Sequence, residues 1–370
     1  MLAKILRAML LAASPFVCLP YLAAAAAAAE STFQLKANVD IRNGLLINGE
    51  SIADARTLAD AKAEGSLVLY TSAGEEYERQ FADRFKADTG VEVKIVRLVV
   101  NRLSERVLSE NGAGKLAADV IRMSDAPSIK ALQDAGVFQA YRVPFEDRLD
   151  GSSKVSTAAF FYRYSSSIYT LGYNSELVKG ADIPKSWKDL VNPKWRGRVG
   201  IVNIAAGGSS AALARFMLSK FGEDYLRAYA AQNPRIFDSA SGLLTSMSRG
   251  EILVGHVIPA RVRVARESGA PVTFIIPEEG VSGWDFYIGI TRASKKAAGR
   301  LFANWVMSKY GQQLLAELGD YAARSDVAPP VVTDIALPPL SKVFRETVEE
   351  AIRTQSPDQD LWYKTFRKKP

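Results

Sequence analysis

Residues 67–90, LVLYTSAGEEYERQFADRFKADTG, decide how the chain is read. Leu67, Val68, Leu69 and Tyr70 form a short apolar, β-favouring run, which predicts a buried strand. Thr71, Ser72, Ala73 and Gly74 form a compact loop. From Glu75 to about Thr89 the spacing of Tyr77, Phe81, Ala82 and Phe85 puts apolar groups on one helical face, and Gly90 supplies the stop. A helix that starts just past the carboxyl end of a strand aims free N–H groups and the positive end of its dipole into a crevice. Open α/β sheets bind ligands at that edge. Two readings of the loop fit. Ser72 with Glu75 matches a capping box, which needs no ligand; an open helix terminus could instead hold one.

Going outward towards the N-terminus, residues 51–64 read as a helix through Ile52, Ala55, Leu58 and Ala61, ended by Gly65. Residues 1–29 differ from everything else. Lys4 and Arg7 precede apolar runs and a tract of alanines, the pattern of a secretory signal cut near Ala29. Ser14, Pro15 and Pro20 interrupt it too often for a membrane anchor. The expected product is exported and soluble, in the periplasm. The single cysteine, Cys18, falls inside the signal, with Val17 before it where a lipoprotein signal would carry a small residue. The mature chain then has no disulfide, thiolate metal site or cysteine nucleophile, and one histidine, His256, leaves no polyhistidine cluster.

The chain's net charge of +7 is concentrated at its ends. Lys4 and Arg7 lie in the signal, and Lys364, Arg367, Lys368 and Lys369 in the tail, so the body is near neutral. Basic residues clustered with a reading motif are missing, which argues against nucleic acid as a partner.

Towards the C-terminus, residues 91–96 alternate apolar and charged side chains as a second strand, a helix runs from about Leu103 to Glu110, and residues 118–123 form a third strand. With the helix after Asp125 this is β-α-β-α-β-α, the pattern of a parallel sheet flanked by helices. A long aromatic strand is expected around residues 165–173. A second unit then repeats the opening architecture: strand 198–203, a small-residue loop from Ala205 to Ser210, and a helix from Ala211 to Lys220 ended by Gly222. A short helix starts at Ser239, a strand covers residues 252–257, and a last helix lies near residues 340–354.

Six phrases in fixed order carry a family resemblance: LVLYTSAGEE, ADVIRMSDAPSIKALQDAGVF, LGYNSELV, IPKSWKDLVNPKWRGRVGI, SRGEILVGHV and AAGRLFANWVMSKYGQQLLAE. Together, across residues 67 to 317, they resemble periplasmic solute-binding proteins of ABC importers, in the extracellular solute-binding protein family 1 group that includes ferric-iron binders and binders of phosphate esters or phosphonates. The resemblance implies an α/β, two-lobed type II (Venus-flytrap) fold, with mostly parallel sheets flanked by helices and a ligand cleft between lobes. It implies lobe one at residues 30–168 and 258–315 and lobe two at 169–257 and 316–370, with crossing segments at 171–174 and 253–257. A hinge closes such lobes on a solute, and the closed form docks on an inner-membrane permease. The resemblance further implies a monomer without cofactor or catalysis. The chain departs from the ferric pattern. No adjacent tyrosine pair follows the second crossing, where the sequence reads HVIPAR, and Ser167 and Tyr169 stand where an arginine is usual. Iron(III) favours hard anionic oxygens, and those phenolates are missing. A small anion such as a phosphate ester, phosphonate or organic acid is the leading expectation, and ferric iron or a ferric chelate the alternative. Sensing for a membrane kinase, or an exported enzyme on the same scaffold, are the other classes; no G-x-S-x-G elbow or visible triad supports the enzyme.

The candidate ligand-binding residues follow from this frame. Thr71, Ser72, Ala73 and Gly74 start the helix of one lobe; Gly207, Gly208 and Ser209 start that of the other, after Asn203 closes its strand. Ser124 and Asp125 end a strand at the same edge, where Asp125 equally fits a helix cap. Arg97 and Arg102 fit bidentate anion contacts or plain solvated surface. Tyr169 and Trp284 fit cleft walls or core, Ser239 and Ser241 hydroxyl donors with Ser239 equally a cap, and His256 a cleft group or a structural one.

Overall fold

The computed structural model describes residues 34–156 and 158–366. The expected signal, its cleavage point near Ala29, Cys18 and the tail residues Arg367, Lys368 and Lys369 lie outside the described residues. None of the described helices is long and apolar enough to cross a membrane.

A small antiparallel sheet opens the chain: β1 (Val39–Asp40), β2 (Leu45–Ile47) and β3 (Glu50–Ala53). Helix α1 (Ala55–Glu64) starts later than its spacing suggested, because Asp54 accepts from the Thr57 N–H as an N-cap and leaves Ile52 in the strand. The deciding stretch then folds as expected, with β4 (Ser66–Thr71) running into α2 (Glu75–Thr89). Gly90 adopts φ 78° and donates to the Lys86 carbonyl, which stops the helix. β5 (Glu92–Arg97), α3 (Val100–Gly112), β6 (Val120–Met123) and α4 (Ala126–Asp134) complete the alternation. β4 pairs in parallel with both β5 and β6.

The long strand β7 (Tyr162–Asn174) follows. Then come β8 (Val199–Val202), α5 (Gly208–Ala231), β9 (Arg235–Phe237), α6 (Ala240–Ser248), β10 (Val254–Val257), α7 (Pro259–Glu267) and β11 (Val272–Ile275). β12 (Ser282–Ile290), α8 (Ala297–Met307), α9 (Lys309–Leu318), β13 (Tyr321–Ala322), the hairpin β14 (Val331–Val332) and β15 (Ile335–Ala336), and α10 (Val348–Phe366) finish the chain. Gly222 kinks α5 (φ 73°, ψ −178°) where a helix end was expected, and helical residues resume beyond it. Helix α10 runs past the expected end near Thr354 and through Pro357. An interior proline removes a helical hydrogen bond, yet Trp362 is 1% exposed and packs with Ile204 and Ala214, so tertiary burial outweighs the local signal.

The sheet order β5-β4-β6-β12-β7-β10-β8-β9 is continuous across two hydrophobic cores. Phe81, Phe85, Tyr164, Phe302 and Trp305 centre the first. Trp187, Phe216, Met217, Tyr229 and Val262 centre the second. These define lobes one and two. β7 joins them by changing partners along its length. Tyr162 to Tyr169 pair with β12, whereas Thr170 to Tyr173 pair with β10.

The expected second crossing at residues 253–257 is β10, whose neighbours β7 and β8 both lie in the lobe-two part of the sheet at that point. The strand that reaches back is β12, which pairs with β6 of lobe one through Tyr287 to Ile290. Ile258, Val262, Val272 and Phe274, which the expected boundaries gave to lobe one, pack in the second core.

Candidate functional site

The two strand–loop–helix turns face the same space. In lobe one, β4 ends at Thr71, which is fully buried; its Oγ1 donates to Glu78 Oε1 (2.7 Å) and accepts from the Ala73 N–H (3.1 Å). Glu78 pairs with Arg122 at 2.7 Å with both side chains at 0% exposure, and the Arg122 guanidinium lies 4.0 Å from the Tyr164 ring centre. Thr71 therefore shapes the loop from behind. Ser72 does not cap α2. Its Oγ accepts from the Ser124 N–H (3.1 Å), tying the loop to the end of β6. The N-cap is Gly74, without a side-chain cap, so the first N–H groups of α2 stay open. Arg97 leaves the end of β5 and donates from Nε to the Ala73 carbonyl (3.3 Å).

In lobe two, Asn203 accepts from the Ala205 N–H (3.1 Å) and turns the chain after β8. Gly207 adopts φ 133° and caps α5 with no side chain, leaving another open helix start at Gly208 and Ser209. The jaws touch at Gly208. A Cβ there would lie 2.5 Å from the Ser124 carbonyl oxygen and 2.9 Å from Asp125 Oδ1. Tyr169 on β7 is 1% exposed, with its hydroxyl 3.4 Å from Ser209 Oγ.

Between the jaws lies a cavity of about 410 Å³, walled by Ser72, Gly74, Arg97, Ser124, Ser209 and Ser239 among others. It opens into a second chamber of about 390 Å³. Arg261, Ser241, Ile258, Trp284 and Phe286 line both chambers, so the two form one cleft. Tyr77, Ser167, Leu244 and Asp320 belong to the second chamber.

Some expected residues stand elsewhere. Arg102 is exposed and pairs with Glu105 (3.2 Å), away from both chambers. Asp125 caps α4 by accepting from the Ser128 N–H (2.9 Å), and burial raises its carboxyl above the usual range. Ser239 caps α6, accepting from the Gly242 N–H (3.1 Å), while also lining the cleft. His256 is fully buried, with its ring 4.8 Å from that of Tyr169 and neither nitrogen hydrogen-bonded. Burial pulls its pKa down to about 3, so the imidazole is neutral, and it borders neither chamber. It sits on β10, buried between β7 and β8. Trp284 combines both expected roles, 6% exposed against Tyr169 (4.8 Å) and lining both chambers.

Sequence reading offered Ser241 as a hydroxyl donor, noted Arg261 only as part of a basic helix, and passed over Asp320. Arg261 opens α7 just after Pro259 and donates to Ser241 Oγ (2.8 Å). Burial lowers its pKa, and Arg97 across the cleft adds to that. Neither Arg97 nor Arg261 forms an ion pair among the described residues. The available signal was position: Arg261 occupies the very segment where the ferric pattern wants tyrosines. Among the described residues no group of three or more His, Cys, Asp or Glu side chains converges to hold a metal ion.

Comparison with known proteins agrees with this architecture. The profile of the bacterial extracellular solute-binding proteins matches residues 116–342. Iron uptake protein A1 of Synechocystis is 24% identical over 287 residues, covering 70% of this chain and 76% of that one. The structure of iron-bound HitA from Pseudomonas aeruginosa superposes with a TM-score of 0.65 at 21% identity, over 80% of this chain and 99% of that one. The periplasmic binding protein AfuA from Actinobacillus pleuropneumoniae, solved with fructose-6-phosphate, gives a TM-score of 0.69 at 20% identity, over 82% and 99%. The two-lobed type II binding-protein fold is therefore the fold of this chain.

Proposed function

This chain belongs to the bacterial extracellular solute-binding protein family, receptors for ABC transport, and we propose that its cleft captures a small anionic solute. One observation carries the reading. Arg97 from lobe one and Arg261 from lobe two reach the same cavity without a carboxylate partner, beside the uncapped starts of α2 and α5. Each helix start favours an anion by about 0.3–1 kcal/mol, up to ~2 kcal/mol where partly buried. A hydrogen bond to a charged group contributes about 1.5–3 kcal/mol. Ser72, Ser124, Ser209 and Ser241 add hydroxyl groups around the same space. A phosphate ester, phosphonate or organic acid meets this donor set. Because Arg97 and Arg261 sit on opposite lobes, an anion bridging them favours the closed arrangement, which is the differential affinity that closure needs.

On this reading the cargo is released to an inner-membrane permease from the periplasm, and the protein performs no chemistry on it. The cleft residues are Ser72, Ala73, Gly74, Arg97, Ser124, Tyr169, Gly207, Gly208, Ser209 and Ser239, with Arg261 and Ser241 added. Thr71, Asp125 and Asn203 support the loops behind them.

The names of two of the relatives favour a second reading, iron. A bare ferric ion would face two unpaired guanidiniums, which repel it, so iron fits this cleft best inside an anionic chelate. Thermal shift against phosphate esters, phosphonates, organic acids and ferric citrate tests both. A bound solute raises the melting temperature by mass action. Stabilisation by an anion without iron supports the first reading, stabilisation by ferric citrate but not citrate supports the second, and no stabilisation by any of them contradicts both.

A further inference from the structure

Charges of both signs on the cleft wall lack a counter-ion among the described residues: Arg97 and Arg261, which the anion accounts for, the exposed Asp238, and the buried Asp320, which it does not. This last aspartate follows α9 through Gly319, whose φ of 97° turns the chain sharply back under the second chamber. Asp320 is 5% exposed and lines that chamber. Its Oδ1 is buried without a hydrogen-bond partner, and no ion pair among the described residues includes it.

Four elements surround it: Tyr77 comes from α2, Ser167 from β7, Arg261 from α7 and Arg122 from β6. All four act to hold its proton less tightly, yet burial outweighs them and pushes the carboxyl up to about 6. At neutral pH the group is mostly ionised. A buried carboxylate with an unused acceptor is costly, and such groups are normally completed by a partner. The Ser167 and Tyr77 hydroxyls face Asp320 and favour its charged form as donors, but the buried Tyr77 hydroxyl reaches no partner in ordinary hydrogen-bond geometry. Arg261 lines both chambers, so the two unpaired charges border one continuous space. Leu244, Ile258 and Phe286 form apolar wall in the second chamber.

Building on the anion reading, we propose that Asp320 is the counter-charge for an ammonium group, so that the captured solute is a zwitterion. Its anionic end lies against Arg97 and Arg261, its body against the apolar wall, and its ammonium against Asp320 Oδ1. One molecule then meets all three of these unpaired charges. A solute with an anion alone leaves Asp320 as costly as before.

Matched probes test this by titration calorimetry: ethyl phosphate against O-phosphoethanolamine, 4-methylbenzyl phosphate against 4-(aminomethyl)benzyl phosphate, and butyrate against 4-aminobutyrate, with 2-hydroxyethyl phosphate as the uncharged-donor control. The wild-type protein is expected to bind the ammonium member of at least one pair about tenfold or more tightly than its partner, as a charged hydrogen bond provides. Asp320→Asn should shrink that preference to about twofold or less while the plain anion binds as before, and Tyr77→Phe should keep the preference. Equal binding within every pair, a preference that survives Asp320→Asn, or 2-hydroxyethyl phosphate matching O-phosphoethanolamine overturns the proposal and leaves the anion reading standing. Failure of every probe to bind removes both. The wild-type comparison needs no variant to fold.

Discussion

The two jaws of the cleft start from the same architecture and are braced in opposite ways. Each is a strand, a short loop and a helix whose N-cap is a glycine without a side-chain cap. Behind the α2 jaw lies buried charge: Thr71 holds Glu78, and Glu78 holds Arg122. Behind the α5 jaw lie small residues, with Gly207 in a left-handed conformation and Gly208 in direct contact with lobe one. The α2 jaw is thus fixed by a network that only fails if its members change. The α5 jaw is defined by what is absent, a Cβ. A single fold can place a helix terminus rigidly with ions or close to its opposite with glycine, and this cleft uses one method on each side.

Breaking the ion network should have the largest effect. Glu78→Ala leaves Arg122 charged and unpaired in the core, at a cost of about 3–5 kcal/mol. Chemical denaturation should show that loss. A loss under about 1 kcal/mol would mean the network does not brace the α2 jaw.

Asp320, between the jaws, should show the next effect and the opposite sign. Its pKa is raised in the fold from 3.8 to about 6. The folded state therefore binds the proton more tightly than the unfolded state, and ligand-free stability falls as pH rises from about 4 to 6. Asp320→Asn should stabilise the ligand-free protein by on the order of 2 kcal/mol above pH 6 and by little near pH 4. His256 runs the other way. Its pKa falls from 6.5 to about 3, so its contribution is lost as pH drops below about 6.5. The comparison of wild type with Asp320→Asn across pH isolates the carboxylate from that background.

Gly208→Val sharpens the contrast between jaws. The added side chain meets the Ser124 carbonyl, so it should hold the cleft open, enlarge the radius of gyration in small-angle scattering, and weaken solute binding several-fold with little loss of stability. An unchanged radius with unchanged binding would show that the jaws need not touch there. The smallest effect belongs to Arg102→Ala. Its exposed pair with Glu105 should contribute no more than about 1 kcal/mol, and affinity should not change.

The α2 jaw was legible in the sequence because its signals are local: an apolar run, a small loop, an i, i+4, i+8 face and a glycine stop. The loop of the α5 jaw was legible for the same reason. What escaped was set by distant partners. Residues 253–257 look like any crossing strand, and only the pairing of β10 with β7 and β8 shows that they stay in lobe two. His256 was drawn to the cleft by that assignment of residues 253–257 as a crossing. Arg261 is one of several arginines on α7, and nothing local separates it from Arg263, which pairs with Glu267 on the same helix. Asp320 reads as a turn residue after a helix; the groups that act on it, Tyr77, Ser167 and Arg261, are all distant in sequence. The Ser72 capping box was a false local signal, since Ser72 is used by Ser124 instead.

On the proposed function, an anion is held between Arg97 and Arg261. Titration calorimetry of the wild type and of Arg97→Ala/Arg261→Ala, using the anion that most raises the melting temperature, tests it directly. With folding checked by circular dichroism, the double variant should lose about 100-fold or more in affinity, roughly 3 kcal/mol. Affinity within about threefold of the wild type would mean that the two arginines do not hold the anion.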